Sequence, residues 1–196
     1  MKKIIEFKRD TNLTICVCGK GLAVFFDHGL IRFPVEKLCA ASSAAQQYRV
    51  REIDESNAKL CRVNMSAEAL SQYLSAGMPI RGYLFYDSQA NEAVAFYWLF
   101  FQGAKEREYT IRGLGDAALI SYIYVFEPYR GNRFIQTLLR HAGTVCREAG
   151  VSYLYASVRK NNLSAWKAYD RIGYEYIGRR RFIRLLGKNL PAQSIP

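Results

Sequence analysis

The sequence predicts an α/β protein with a mixed, mostly antiparallel central sheet flanked by about four helices. A β-rich N-terminal extension is expected over residues 1–46, ahead of a main domain over 47–196. Three observations lead there. Short apolar and aromatic bursts lie side by side in hairpin-like pairs, instead of each being followed by a helix. Phe134, Ile135, Leu138, Leu139, Ala142, Val145 and Cys146 fall on one helical stripe. A second helix is bounded by Asn162 at its start and Gly173 at its end.

The elements follow in order. Ile4-Ile5, Leu13 to Val17 and Leu22 to Phe26 read as two or three short strands, separated by Asp10-Thr11-Asn12 and Gly19-Lys20-Gly21. The small-residue stretch 40–45 reads as a linker or a helix end. YRVREI, beginning at Tyr48, alternates like a strand, and Asp54-Glu55-Ser56-Asn57 can cap a short helix running through Cys61. Ser66, followed by Glu68, opens another helix that Gly77 stops. RGYLFYD (81–87) and EAVAFYWLFF (92–101) form a hairpin, and ALISYIYVF (118–126) adds a strand. The striped helix from Phe134 ends at Gly150. VSYLYASV (151–158) is a strand, the helix 161–173 follows, and YEYIGRRRFIRLL supplies one or two closing strands.

Composition narrows the function classes. The 196 residues can bury one good core, and half are hydrophobic, with 14 Tyr, 11 Phe and 2 Trp, which excludes a disordered chain. No apolar run reaches the ~20 residues of a membrane span, and MKKIIEFKRD lacks the apolar region of a signal peptide. Five cysteines without a CxxC pair read as free thiols of a cytoplasmic protein. Two histidines, His28 and His141, are too few for a metal site and are expected as surface or packing residues.

Charge is uneven. Residues 1–127 carry 15 Lys+Arg against 14 Asp+Glu, whereas residues 128–196 carry 13 against 3. The basic half calls for an anionic partner, and nucleic acid, a phosphorylated cofactor and an acidic carrier protein all qualify. Arg179-Arg180-Arg181 and Arg184 could meet nucleic-acid phosphates, but no binding motif accompanies them, so nucleic acid is not expected. A basic edge strand that discourages aggregation explains the cluster equally simply.

Two segments carry the chemistry. In VFEPYRGNRFIQTLL (125–139) a strand passes through Pro128 and an Arg-Gly turn into the striped helix. Asn132 can open that helix. The amides of residues 131–135 then point at an anion, with Arg130 and Arg133 adding charge. In the second segment Asn162 precedes a helix on which Ala165 and Tyr169, four apart, share a face.

Taken together, these segments resemble the GNAT superfamily of N-acyltransferases, over about Tyr48 to Gly187. Its first signature, V-x-P-x-x-R/Q-x-x-G-x-G/A, is met by Val125 and Arg130. The proline is displaced to Pro128, and Arg133 and Ile135 replace the two loop glycines. Its second, N-x-x-A/S-x-x-x-Y-x-x-x-G-F/Y, is met in full by Asn162, Ala165, Tyr169, Gly173 and Tyr174.

The resemblance implies acetyl transfer from acetyl-CoA to a small-molecule or peptide amine, with no metal and no covalent enzyme intermediate. Val125 would offer its backbone N–H to the acyl carbonyl. Arg130, Gly131, Asn132, Arg133, Phe134 and Ile135 would cradle the pyrophosphate, and Asn162 and Ala165 the pantetheine arm. Tyr169 would act as general acid on the departing thiolate. For a base the chain offers Ser121, counted with Leu119 and Ile123 on Val125's face, and Glu127. Transfer of longer acyl groups from acyl carrier protein or acyl-CoA is one alternative, and a non-enzymatic anion- or nucleic-acid-binding module is another. Residues 1–46 lie outside the resemblance, and sheet extension, cover for an acceptor site and homodimerisation all stay open.

Overall fold

A computed structural model describes residues 3–5, 13–18, 21–39, 48–75, 77–104, 116–131, 133–185 and 188–195, with side chains for those within 28–179. The strands are β1 (Lys3–Ile5), β2 (Leu13–Cys18), β3 (Gly21–Pro34), β4 (Tyr48–Glu52), β5 (Ile80–Asp87), β6 (Ala93–Phe100), β7 (Ala117–Val125), β8 (Tyr153–Arg159), β9 (Glu175–Leu185) and β10 (Lys188–Ile195). The α-helices are α1 (Val35–Cys39), α2 (Ala67–Tyr73), α3 (Phe134–Glu148) and α4 (Leu163–Asp170), with single 3-10 turns at Ala58–Val63 and Glu127–Tyr129. The fold is mixed α/β with mostly antiparallel strand pairing, as expected. The linker or helix end expected at 40–45 lies outside the described residues. Among the described residues no helix is long and apolar enough to cross a membrane.

The chain forms two compact units. One draws on residues up to Arg32 and from Ala156 onward. Its strands follow one antiparallel ladder in which β1 pairs β2, β2 pairs β3, β3 pairs β9 and β9 pairs β10. Strand β3 runs 14 residues, far longer than its short apolar burst suggests. Its pairing with β9 from Ala23↔Leu185 to Arg32↔Glu175 accounts for that length, because a strand extends as far as a partner satisfies its backbone groups. The Arg32 Nε–Glu175 carboxylate pair (2.6 Å) closes one end of the ladder.

Gly29, in the middle of β3, lies against Trp166 of α4. A Cβ there would stand 2.5 Å from Trp166 Cη2 and 2.8 Å from Cζ2. The indole is further held by its Nε1–H donating to Arg159 O (3.0 Å), so it cannot swing aside freely. Gly29→Ala is therefore expected to lower stability by about 1–3 kcal/mol through overpacking, read from urea unfolding of the full chain.

The second unit spans described residues of 33–104 and 116–155. In it β4, β5, β6 and β7 pair antiparallel in that order. Strand β6 reads AVAFYWLF and is buried from Val94 onward, as a strand with neighbours on both edges and helices on both faces must be. Alternation sends Phe96, Trp98 and Phe100 to one face and Ala95, Tyr97 and Leu99 to the other. Helix α2 covers the first: Tyr73 sets its ring against Trp98 (5.4 Å) and Phe100 (5.1 Å). Helix α3 covers the second, with His141 against Phe85 (5.2 Å) and Tyr97 (6.0 Å).

The local signals for these helices behave as expected at two ends. Ser66 caps α2, its hydroxyl accepting from Ala69 N (3.2 Å). Gly150, at φ +70°, ends α3 with its N–H donating to Arg147 O (3.0 Å). The short α1 has no counterpart among the expected elements. Five residues are too few to show a helical period. Val35 and Leu38 bury against α3, and Val35 N donates to Ser152 O (3.0 Å).

Candidate active site

The end of β7 is irregular in a way that matters. Its register with β6 pairs Ser121 with Trp98 and Tyr124 with Phe96, so Tyr122 and Ile123 stand opposite the single residue Tyr97. That is a β-bulge. Tyr122 sits at φ +49°, a left-handed conformation costing a bulky residue about 1 kcal/mol or more. Its hydroxyl meets that of Tyr73 at 3.4 Å.

The bulge corrects one expectation. Directly opposed residues share a face, so Leu119 and Ser121 lie with Phe100 and Trp98, while Val125 lies with Ala95. Strict alternation placed Leu119 and Ser121 on Val125's face; the inserted residue moves Val125 to the other. No glycine or proline marks the bulge, so the sequence carried no signal for it.

Beyond the bulge, Phe126 N–H donates to Val94 O (2.9 Å). The Val125–Ala95 pair is therefore the non-hydrogen-bonded kind, and the N–H and C=O of Val125 point away from β6. The carbonyl is taken by Arg130, whose Nε donates to it at 3.1 Å. Arg130 Nη2 donates to the Tyr124 hydroxyl (3.3 Å), and the guanidinium carbon lies 5.6 Å from the centre of the Tyr124 ring. Glu127 stands 3.8 Å from Arg130 Nη1 with its own side chain 87% exposed.

The turn into α3 is left-handed. Gly131 has φ +84° with open space where a Cβ would be, and Arg133 has φ +55° and ψ +23°. Asn132 lies outside the described residues. The N-cap of α3 is Arg133, where Asn132 was expected to open the helix. The backbone explains the difference: the chain reaches helical angles only at Phe134, one residue after the left-handed Arg133.

No side chain caps this helix, and Gln136 N–H donates to Arg133 O (3.0 Å) in its first turn. A helix start of this kind has amides to offer an anion. Phe134 is buried, edge-on to Tyr48 (4.7 Å) and Phe85 (5.7 Å), so its side chain serves the core and only its amide faces the turn. Ile135 is half-buried and Arg133 exposed.

In the other unit, α4 carries the second set of residues. Asn162 is its N-cap: Oδ1 accepts from Ala165 N (3.2 Å) and from the Ser164 hydroxyl (2.9 Å). Ala165 is half-buried. Tyr169 is 6% exposed, and burial pushes its phenol above the ordinary tyrosine range. Gly173, at φ +81°, closes the helix by donating its N–H to Tyr169 O (3.1 Å).

Both histidines are packing residues, as expected. His28 Nδ1 meets the Ser157 hydroxyl (3.0 Å). His141 Nδ1 meets the Tyr97 hydroxyl (2.6 Å), and burial lowers the imidazole to about 4. Among the described residues no group of three or more His, Cys, Asp or Glu could hold a metal ion.

The mixed, mostly antiparallel α/β architecture is that of the GNAT acetyltransferases, a class of transferases. The sequence profile of the Acetyltransferase (GNAT) family matches residues 51–174, and the chain belongs to that family.

Solved structures agree on the fold. A functionally unknown conserved protein from Staphylococcus epidermidis is 13% identical, with 82% of this chain and 62% of that one covered and a TM-score of 0.60. An IAA acetyltransferase from Bacillus cereus is 18% identical over 67% of this chain and 79% of that one, with a TM-score of 0.51. A putative GNAT acetyltransferase from Novosphingobium aromaticivorans is 14% identical over 80% and 62%, at 0.55. The chain thus spans less than two thirds of the Staphylococcus and Novosphingobium proteins. No curated protein matches it.

Proposed function

We propose that the protein is an N-acetyltransferase that moves an acetyl group from acetyl-CoA to a primary amine by direct attack. The observation that carries this reading is the strand end at Val125, whose N–H points away from β6 one turn before an uncapped helix start. The amine nitrogen attacks the thioester carbonyl carbon, the C–S bond breaks to leave the amide and a thiolate, and the proton lost by the amine balances the thiolate as free thiol. The Val125 N–H stabilises the oxyanion that forms at the carbonyl. The amides after Gly131 and the Arg133 guanidinium hold the pyrophosphate.

Asn162 and Ala165 serve the pantetheine arm. Tyr169 donates to the departing sulfur. An amine that arrives neutral needs no base, and Ser121 and Glu127 then serve at most to carry its proton to water. Native mass spectrometry with CoA, acetyl-CoA and longer acyl-CoAs, followed by thiol release against an amine panel, tests the donor first. Absence of binding to every CoA species would overturn the reading.

The left-handed Arg133 gives a sharper test. Arg133→Ala and Arg133→Gly both remove the guanidinium, and each is expected to weaken CoA binding about fivefold, as loss of one exposed charge-assisted contact does. Only Gly relieves the left-handed backbone, so Arg133→Gly should also raise stability by about 0.5–1 kcal/mol. Calorimetric titration with CoA and urea unfolding separate the two effects. Unchanged affinity in both variants would mean that the seat is misread.

The strongly basic residues 128–196, with 13 Lys+Arg against 3 Asp+Glu, favour one second reading. In it the donor is a longer acyl group on an acidic acyl carrier protein. Binding to that carrier and not to CoA would select it.

A further inference from the structure

We propose that Arg130 is a positioning residue for acyl transfer, holding the peptide of Val125 in place instead of binding phosphate. The proposal rests on the acetyl-transfer reading above. An arginine that serves a phosphate presents the outer edge of its guanidinium as a fork. Arg130 turns its inner nitrogen to the main chain: Nε donates to Val125 O at 3.1 Å. Its Nη2 donates to the Tyr124 hydroxyl at 3.3 Å, and the guanidinium carbon sits 5.6 Å from the Tyr124 ring centre. These three contacts go to two consecutive residues of one strand end, and Nη1 stands 3.8 Å from the exposed Glu127 carboxylate.

That strand end needs a support. The bulge at Tyr122–Ile123 interrupts the β6–β7 ladder just upstream. Downstream, Phe126 N–H donates to Val94 O (2.9 Å) before the chain turns away. Between them, the Val125 carbonyl points away from β6 and has no partner on that strand. Arg130 fills the gap, five residues later in the chain. Tyr124 in turn stacks on Phe96 (5.6 Å) and meets Phe126 edge-on (5.3 Å), so the side chain that Arg130 grips is itself fixed. Holding the Tyr124 side chain and the Val125 carbonyl constrains the backbone on both sides of the Val125 N–H, the group that receives the oxyanion.

Chemistry offers a clean separation of positioning from charge. The Nε of arginine and the amide nitrogen of glutamine are both bonded to Cδ, so Arg130→Gln keeps a donor where the Val125 carbonyl is and loses the charge. Arg130→Lys keeps the charge and carries no nitrogen on Cδ. Positioning predicts that glutamine substitutes better than lysine. Phosphate binding predicts the reverse.

The experiment compares the full-length wild type, Arg130→Lys and Arg130→Gln. Steady-state acetyl transfer is one arm, and amide hydrogen exchange at Phe126 by NMR, without ligand, is the other. Arg130→Lys should lower kcat about tenfold or more, with KM for acetyl-CoA within about twofold, and Arg130→Gln should recover most of that loss. Exchange at Phe126 should quicken in Arg130→Lys and return toward wild type in Arg130→Gln. A raised KM at constant kcat, or lysine outperforming glutamine, would overturn the proposal. If the wild type transfers no acetyl group, the acetyl-transfer reading fails by itself. The exchange arm still decides: the same rank order supports the clamp, and equal exchange in all three proteins refutes it.

Discussion

Tyr169→Phe should lower kcat for acetyl transfer about 100-fold, at the lower end of what a positioned acid contributes, while leaving affinity for acetyl-CoA nearly unchanged. The phenol is 6% exposed and burial holds it above the ordinary tyrosine range. It therefore stays protonated across any practical pH, which a donor requires. The same shift makes it a weak acid. An ordinary thiol titrates near ~8.5 and a tyrosine near ~10, so complete proton transfer to the thiolate runs uphill.

On the proposed acetyl-transfer reading, Tyr169 would serve as a hydrogen-bond donor to sulfur as negative charge builds there, with final proton balance left to the solvent. The rate should accordingly show no alkaline fall attributable to Tyr169 below the ordinary tyrosine range. Phenylalanine keeps the ring and its packing, and loss of the hydroxyl's hydrogen bonding costs about 1 kcal/mol of stability, a loss that unfolding measurements account for separately. Full activity in Tyr169→Phe would remove it from the mechanism.

Stability should fall steeply as pH drops from 6.5 to about 4, because of His141. An unfolded histidine titrates near 6.5, whereas burial lowers folded His141 to about 4. Between those values the unfolded chain binds a proton that the folded chain refuses, so acid favours unfolding across that window and adds nothing further below it. A shift of this size corresponds to about 3 kcal/mol at most.

Burial is the cause, and the buried ring is held by its 2.6 Å bond to the Tyr97 hydroxyl. Burial holds the Tyr97 phenol well above its usual range and keeps the His141 ring neutral, so the two uncharged groups share one hydrogen bond. Replacing both partners, Tyr97→Phe with His141→Leu, removes the pair without orphaning either group. Urea unfolding at pH 4 to 7 should then show a shallower acid slope than wild type. The depressed carboxyls of Asp54 and Asp87, lowered chiefly by hydrogen bonds from Ser56 and from the Ala90 amide, lose their contribution only further into acid. An unchanged slope in the double variant would show that His141 does not govern this window.

Much of the architecture was legible because it is written in local pattern. The apolar stripe from Phe134 to Cys146 can bury only as a helix, and α3 runs from Phe134 to Glu148. Ser66 and Asn162 each satisfy amides of the turn they start, and Gly173 takes the positive φ that ends α4. Such signals act within about one helical turn, so a reader of the chain finds them without knowing its partners.

What the chain could not declare by itself depends on residues far apart. The bulge at Tyr122 exists only as a register between β6 and β7, and it moves Val125 to the face opposite Ser121. Nothing near Arg130 in the chain signals that its Nε reaches Val125 O, and His141 was one apolar-face histidine until Tyr97 met it. Sequence by itself determined which segments are helix and strand and which family's signatures they carry. Tertiary structure decided where the backbone of Val125 points and which charges are already engaged, because strand register and side-chain pairing are settled by contacts between distant segments and not by the residues adjoining them.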